Sequence, residues 1–251
     1  YDAGTNVSTG VQNTIIGGQT GDALTTGNYN IAIGHTALST EDTGSKNVAI
    51  GHQSLLNLNY DGDGHNTAVG YVAGAEITSA RYNTILGSLA GDALTTGAEN
   101  VAIGYGALGQ EDGNGKNVAV GMNTLTAQNA GAEAYNTAVG WDTGKASPTG
   151  VKNTLIGAAA GDALTTGGES VAIGYGALST EDTASRSTAI GYNALEAQNS
   201  GSSNTYNVAV GFDAGLSVTT GTYNTIIGGK AGDALTSGSY NVAIGYAALG
   251  S

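Results

Sequence analysis

A five-residue pattern that returns about every 17 residues constrains this chain more than any other feature. It reads Asn, then Thr, Val or Ile, then Ala, Ile or Leu, then Ile, Val or Leu, then Gly, and two of its fourteen copies have Ser in place of Asn. A tandem unit of this length is too short for a helix pair but suits one coil of a β-solenoid, in which stacked coils bury a shared core. The sequence therefore predicts an all-β fold, a parallel β-roll of about fourteen 17-residue coils.

The coils are grouped in fours. We expect residues 1–12 to be a lead-in and residues 13–251 to form a single repeat domain. The segment "GDALT" returns once in each group, and the four-coil superunits start near residues 13, 83, 153 and 224. We number each coil from its Asn or Ser, which is position one, and call the coil that starts at Asn13 coil 1.

The pentapeptide predicts a strand followed by a corner. Side chains alternate along a strand, so positions two and four share one side, and we expect that side to face the interior. Position five is Gly in every copy, which indicates a corner that needs a positive φ or has no room for a Cβ. These corner glycines are Gly17, Gly34, Gly51, Gly70, Gly87, Gly104, Gly121, Gly140, Gly157, Gly174, Gly191, Gly211, Gly228 and Gly245.

The residues after the corner predict a second strand. Position eight is always Ala, Ser or Thr, which indicates a tight contact, and we expect it to be a contact between chains. For the Asn at position one two interpretations stay open: a ladder of stacked amides along the coil axis, or a turn residue that caps its own backbone.

Positions three and six change size together. In the four "GDALT" coils position three is Ile or Leu and position six is Gly, Ser or Ala. In the other ten coils position three is Ala and position six is Tyr, His, Met, Trp or Phe. Because protein interiors pack to a nearly constant density, this exchange predicts that the two positions share one space beside the corner.

Motifs for nucleotide binding do not hold up. The segment "GYGALG", with Gly104, Gly106 and Gly109, matches G-x-G-x-x-G, but the next strand pattern starts eight residues after Gly109 and leaves no room for the helix that a dinucleotide site needs. The segment "GWDTGKA" lacks the spacing and the Ser or Thr of a phosphate-binding loop. We expect no cofactor.

Charge and composition exclude further classes. Seven Lys and Arg, scattered singly, against twenty Asp and Glu give a net charge of −13, which argues against nucleic acid binding. The chain has no Cys and no run of 18 apolar residues, so we expect no thiolate metal site and no membrane insertion in this segment.

Several polar groups are weighed as sites and interpreted as structural. Asp61 and Asp63 faintly resemble a calcium loop but lack its closing Glu, so a solvated turn is favoured. Neighbouring carboxylates repeat with a base nearby, and we expect them to be exposed turn charges with weak local pairing, not catalytic acids. These pairs are Glu41 with Asp42, Glu111 with Asp112 and Glu181 with Asp182, near Lys46, Lys116 and Arg186. We expect no enzyme.

Aromatic residues supply the candidate contact sites. His35 and His52 occupy position six of successive coils, where they are expected to stack and to replace Tyr, since two histidines without a third ligand make a weak metal site. Tyrosines that precede the pentapeptide could form a strip that contacts a receptor or glycan, or could only cover neighbouring backbone. They are Tyr29, Tyr82, Tyr135, Tyr206, Tyr223 and Tyr240.

The segments "NVAIG", "NTAVG" and "STAIG" resemble the left-handed parallel β-roll head repeats of trimeric autotransporter adhesins. The longer forms "NTAVGYVAG" and "NVAIGYAAL" are similar to repeats of bacteriophage tail fibres. The resemblance implies a homotrimer and an extracellular role as a structural and adhesive fibre that attaches to a host-cell receptor. The 17-residue coil is longer than that of the adhesin heads, which favours the tail fibre. The bacterial adhesin head and an ice-binding solenoid remain the alternatives.

Overall fold

The fourteen repeats become fourteen short strands. The computed structural model describes residues 2–113, 115–201 and 204–250; in those residues every strand has three residues and there is no helix. The chain forms two compact units, one of Tyr1–Met122 with Gly131–Glu133 and one of Asn123–Ala130 with Ala134–Ser251. The first unit contains β1 (Thr14–Ile16), β2 (Ile31–Ile33), β3 (Val48–Ile50), β4 (Thr67–Val69), β5 (Thr84–Leu86), β6 (Val101–Ile103) and β7 (Val118–Val120). The second contains β8 (Thr137–Val139), β9 (Thr154–Ile156), β10 (Val171–Ile173), β11 (Thr188–Ile190), β12 (Val208–Val210), β13 (Thr225–Ile227) and β14 (Val242–Ile244).

Within each unit the strands pair in chain order, in parallel and in register. Thr14 pairs with Ile31 in the first unit, and Val171 pairs with Thr188 in the second, so each residue meets the same position of the next coil. This arrangement is an all-β parallel β-solenoid with coils of about 17 residues, as the repeat predicts.

The expected orientation of the strands is wrong by one residue. Position three is the buried one, as in Ala32 and Ala102, whereas positions two and four face outward and are partly exposed. Alternation along the strand fixes which residues share a side, but three consecutive apolar residues do not say which side is inner. Asn at position one is also buried, which places the odd positions together on the inner side.

No second strand follows the corner in the described residues. Positions six to eleven form turns, because positions five, seven and nine all have a positive φ, as in Gly51 (+138°), Gln53 (+58°) and Leu55 (+48°). Left-handed residues at every second position cannot continue an extended strand. Coil-to-coil hydrogen bonds continue through this segment nevertheless, for example from Gln53 N to His35 O at 3.0 Å.

The corner glycines have a positive φ and also leave no room for a Cβ, so both predicted reasons for Gly are confirmed. All fourteen have φ between +122° and +146°. At Gly104 a Cβ would lie 2.4 Å from the carbonyl oxygen of Gly121 in the next coil. The backbone of successive corners is therefore packed too closely for any side chain.

The Asn ladder exists, and it runs mainly from side chain to backbone; amide-to-amide bonds occur from Asn66 to Asn47 at 3.2 Å and from Asn241 to Asn224 at 3.0 Å. Asn83 Oδ1 accepts a hydrogen bond from the backbone N of Asn100 at 2.9 Å, and Asn83 Nδ2 donates to the carbonyl of Gly97 at 2.9 Å. The same pair of bonds recurs at Asn13, Asn153, Asn207 and Asn224. Each such Asn thereby joins its own coil to the next.

Position three shares its space with position nine, not with position six. Ile85 is fully buried, and its Cδ1 lies 3.0 Å and 3.3 Å from where a Cβ of Gly74 and of Gly91 would stand. Both glycines occupy position nine, in the preceding coil and in the same coil. The position-six side chains of Tyr71 and Tyr105 lie outside and are half exposed. The prediction that positions three and six share one space is therefore wrong.

Position eight makes the tight contact that its small side chains indicate, but within the chain. Thr20 and twelve of its equivalents, among them Ala107, are fully buried. Where the residue is Ser or Thr, its hydroxyl donates to a carbonyl of the next coil, as Ser54 does to Ala68 at 2.9 Å. These residues are therefore not available for a contact between chains.

Candidate functional site

The outer side of the strands presents a column of aliphatic side chains in each unit, which we call the strand face. It consists of the side chains at positions two and four. Position four is a branched aliphatic residue in every coil, and Leu86, Ile156 and Ile227 are exposed to 47%, 39% and 38%. Exposed apolar columns of this kind are typical of interaction surfaces.

A second column runs beside the strand face, beyond the glycine corner. This corner column consists of the position-six side chains, and its rings stack in the coils that carry them. His35 stacks on His52 with ring centroids 5.4 Å apart, as expected, and His52 stacks on Tyr71 at 5.3 Å. In the second unit Tyr175 stacks on Tyr192 and Tyr192 on Phe212, each at 5.3 Å.

The corner column is interrupted at every fourth coil. At coils 1, 5, 9 and 13, which we call the gap coils, position six is Gly18, Ser88, Ala158 and Gly229. The exposed position-four residues Leu86, Ile156 and Ile227 all belong to gap coils, whereas Ile103, beside Tyr105, is less exposed. Except in the last coil, where Ile244 is exposed beside Tyr246, the position-four residue is less exposed next to a large position-six side chain than next to a small one.

A third column lies on the other side of the strand face. This pre-strand column consists of the residues that precede the pentapeptide, all with φ between +51° and +67°. The six tyrosines predicted as a contact strip belong to it and are exposed to between 42% and 77%. Tyr206, Tyr223 and Tyr240 follow one another and stack at 5.2 Å and 5.0 Å, whereas charged residues separate the other three.

Basic residues of the pre-strand column pair with acids one coil away. Lys46 Nζ lies 2.6 Å from Asp63 Oδ2, and this hydrogen bond lowers the pKa of the Asp63 carboxyl. Arg186 Nε donates to Glu169 at 2.7 Å and lowers the pKa of Glu169, while its Nη1 donates to the Tyr206 hydroxyl at 2.9 Å. These are exposed pairs with modest effects on stability.

The repeated glutamates are not exposed turn charges, contrary to expectation. Glu41, Glu111 and Glu181 are fully buried, and burial raises the pKa of Glu41. Glu41 accepts hydrogen bonds from the backbone N of Gly44 at 2.7 Å and of Tyr60 at 3.1 Å. The carboxylate therefore satisfies buried backbone donors, which a local ion pair on a surface turn would not do.

A second glutamate takes part in a larger buried group. Glu181 accepts from the backbone N of Ala184 at 2.9 Å and from Gln198 Nε2 at 3.1 Å. Gln198 also accepts from Asn207 Nδ2 at 2.8 Å and donates to the Ser187 hydroxyl at 3.0 Å. These bonds connect three coils inside the second unit and are structural in character.

Neither a pocket nor a metal-ligand cluster is found in the part of the chain that the structure describes. Those residues enclose no pocket, and they contain no group of three His, Asp or Glu placed to share a metal ion. Asp61, from the loop that resembles a calcium site, accepts a hydrogen bond from Thr43 at 2.7 Å. No described helix is long and apolar enough to cross a membrane.

Comparison of this chain with protein-family models, curated proteins and solved structures finds no match.

Proposed function

We propose that this chain is a structural and adhesive segment of an extracellular trimeric fibre, of the kind found in bacteriophage tail fibres, where it attaches the particle to a host cell. The observation that carries the proposal is the strand face. Its position-four residues are branched aliphatic in all fourteen copies and lie on the outer side of the strand, exposed in five coils and half-buried in the other nine.

Association of copies through the strand face explains why an aliphatic residue recurs at position four of every coil. Burial of a fully exposed Val, Leu or Ile side chain contributes about 1.5 to 3 kcal/mol, and each unit presents seven such residues at position four, most of them already half-buried. A net charge of −13 on each copy opposes association elsewhere on the surface, so an apolar contact is needed to offset it. The number of copies, three, rests on the resemblance to trimeric β-roll proteins.

The adhesive role rests on the exposed aromatic columns. Tyr and other aromatic side chains offer large contact areas with few rotatable bonds, and stacking holds them in fixed orientations. In the pre-strand column the uninterrupted run Tyr206, Tyr223 and Tyr240 is the part best suited to contact a host receptor.

Sedimentation equilibrium of charged variants tests the trimer. Leu86→Glu and Ile227→Glu place a carboxylate on the strand face of each unit, and we expect the double variant to sediment as a monomer with an unchanged circular dichroism spectrum. Ser79→Glu and Thr220→Glu add the same charge at exposed positions outside the strand face and should leave a trimer. A wild-type chain that is monomeric at micromolar concentration would refute the trimer.

The bacterial adhesin head remains an alternative placement of the same trimeric segment. The longer coil favours the tail fibre, and the sequence of the full-length protein decides between them. A membrane anchor downstream would favour the adhesin, whereas a self-cleaving chaperone domain would favour the tail fibre.

Ice binding is a second candidate because position two faces outward. Seven of the fourteen coils place a Thr there, and the parallel register aligns it with the same position of the next coil. The columns mix Thr with Val and Ile, unlike a continuous Thr array. Thermal hysteresis of the purified protein, measured against Thr84→Tyr, would establish this function, and its absence would exclude it.

A further inference from the structure

Each gap coil is a place where one ring is missing from the corner column. At coil 5 the neighbouring rings are Tyr71 and Tyr105, with Ser88 between them; at coil 9 they are Trp141 and Tyr175, with Ala158 between them. At coil 13 they are Phe212 and Tyr246, with Gly229 between them. An exposed aliphatic residue, Leu86, Ile156 or Ile227, lies beside each gap.

The backbone passes through a gap coil without interruption. Leu89 N donates to Tyr71 O at 2.9 Å and Gly106 N donates to Ser88 O at 3.2 Å. Trp141, Ala158 and Tyr175 are linked in the same way through Ala159 N at 2.9 Å and Gly176 N at 3.1 Å. The side chains that flank a gap are therefore two coil steps apart, about 10 Å at the usual strand spacing.

This spacing limits the size of what fits. In the uninterrupted column the ring of Tyr192 occupies the same two-coil interval, with centroids 5.3 Å from those of Tyr175 and Phe212, so a gap has room for one six-membered ring. A chair-form pyranose presents axial C–H groups on both of its faces, and these make favourable contacts with the aromatic rings on either side. Its equatorial hydroxyls would stay in water, since the slot is open and the described residues enclose no pocket.

Charge narrows the ligand further. The chain carries a net charge of −13, which disfavours sugars with carboxylate, sulfate or phosphate groups. Gap coils 9 and 13 lie in the same unit, four coil steps or about 19 Å apart, so linked sugars can occupy both slots at once.

We propose that gap coils 5, 9 and 13 are pyranose-binding slots, in which the flanking aromatic rings of the corner column hold one neutral sugar ring of a host glycan. The proposal deepens the adhesive part of the proposed function and rests on it. It does not depend on the pre-strand tyrosines. The strand face can remain an interface between copies, because the slots lie beyond the glycine corner.

Filling the slots with the protein's own rings tests the proposal. Tyrosine is already present at position six of other coils, and a Cβ at Gly229 would have no contact shorter than 3.6 Å. The triple variant Ser88→Tyr, Ala158→Tyr and Gly229→Tyr should therefore fold normally. The converse variant, Tyr192→Ala, removes a central ring and opens a new slot between Tyr175 and Phe212.

The assay is affinity electrophoresis of the full chain in native gels that contain a neutral glucan, mannan or galactan, with polygalacturonate as the acidic control. We expect at least one neutral polysaccharide to retard the wild type, a tenfold or larger rise in the dissociation constant for the triple variant, and retained or stronger binding for Tyr192→Ala. Polygalacturonate should give no retardation.

Three outcomes would overturn the slots. They are the absence of retardation by every neutral polysaccharide, equal binding by the triple variant, and binding that is displaced by phenol but not by methyl glycosides, which would identify an aromatic ligand. Sedimentation equilibrium on the same samples reports the trimer separately. Glycan binding that survives slot filling but is lost in Tyr223→Ala would leave the adhesive function in place at the pre-strand column.

Discussion

The contact between position three and position nine predicts which substitutions compensate each other. In coil 5, Ile85 at position three fills the space next to two glycines, Gly91 at position nine of the same coil and Gly74 at position nine of the preceding coil. In coil 6, position three is Ala102 and position nine is Leu108. Changing Ile85→Ala together with Gly91→Leu gives coil 5 the residues that coil 6 has at positions three and nine, while position twelve stays Leu94. The single changes should each destabilise the protein, and the double change should cost less than their sum.

The magnitudes follow from the geometry. Ile85→Ala removes three buried carbons, about 2.4 kcal/mol of transfer free energy, and with the cavity left behind the expected loss is about 2 to 5 kcal/mol. Gly91→Leu places a Cβ 2.8 Å from Leu94 Cδ1 and 3.3 Å from Ile85 Cδ1, at a φ of +52°. We expect overpacking of about 1 to 3 kcal/mol and a backbone cost of about 1 to 2 kcal/mol.

Urea unfolding monitored by circular dichroism measures this double-mutant cycle. We expect a favourable coupling of about 0.5 to 3 kcal/mol, because Ile85→Ala removes the 3.3 Å contact with Ile85 Cδ1, whereas the 2.8 Å contact with Leu94 Cδ1 remains. The backbone cost stays, since Leu at position nine must still adopt a positive φ. The comparison requires equal m-values for all variants, because repeat proteins can lose cooperativity.

A second cycle serves as the control. Ala102→Ile and Tyr105→Gly should add without coupling, because position three faces the core and position six faces water. Coupling in this pair with additivity in the first would refute the assignment of the shared space to positions three and nine.

Three further outcomes are expected. Asn83→Ala should lower the free energy of unfolding by about 2 to 4 kcal/mol, because two buried backbone groups lose their partners, and Asn83→Ser should cost less. Gly104→Ala should prevent folding or cost more than about 4 kcal/mol, as judged by urea midpoints, because its Cβ would collide with the Gly121 carbonyl, whereas Gly229→Ala should be nearly neutral. The pKa of Glu41 is raised in the folded state, so the folded chain binds the Glu41 proton more tightly than the unfolded chain does. The free energy of unfolding should therefore rise as pH falls from neutral toward the ordinary Glu pKa. Thermal midpoints between pH 7 and pH 5 measure this dependence, and Glu41→Gln should remove the part that Glu41 contributes.

The repeat spacing was sufficient to predict the solenoid but not the side of the strand that faces inward. Fourteen glycines at one position identified the corner correctly, because only a backbone requirement demands Gly without exception. Positions three and four are aliphatic throughout, and the one polar residue type, Thr, occurs only at position two and in only seven of the fourteen coils, so the pattern marks the outer side weakly. The buried Asn at position one was the signal that could have fixed it, since it shares a side with position three.

The missing second strand and the buried glutamates have separate physical causes. Residues such as Thr36 and Leu38 adopt a positive φ although neither is Gly or Asn, so composition gave no indication of a left-handed turn, and their N–H groups bond to carbonyls of neighbouring coils. In the turn before the next strand, buried backbone N–H groups need another acceptor, which a buried side chain can supply. Glu41 does so for Gly44 and Tyr60, which explains why a charged residue that looks like a surface residue in the sequence lies in the core.

The four-coil period now has one explanation inside the coil and another outside. Inside, a bulky position three, as in Leu155, requires Gly at position nine of the same and the preceding coil, here Gly161 and Gly144. Outside, the same coil has a small position six, Ala158, and packing imposes no such requirement because the two positions lie on opposite sides of the wall. The coincidence of an internal and an external change in one coil, repeated at coils 5, 9 and 13, therefore needs a reason other than core packing. Either the four-coil superunit was duplicated as a block, or the outer gap is kept for a ligand, and the variant in which all three gaps are filled separates these two explanations.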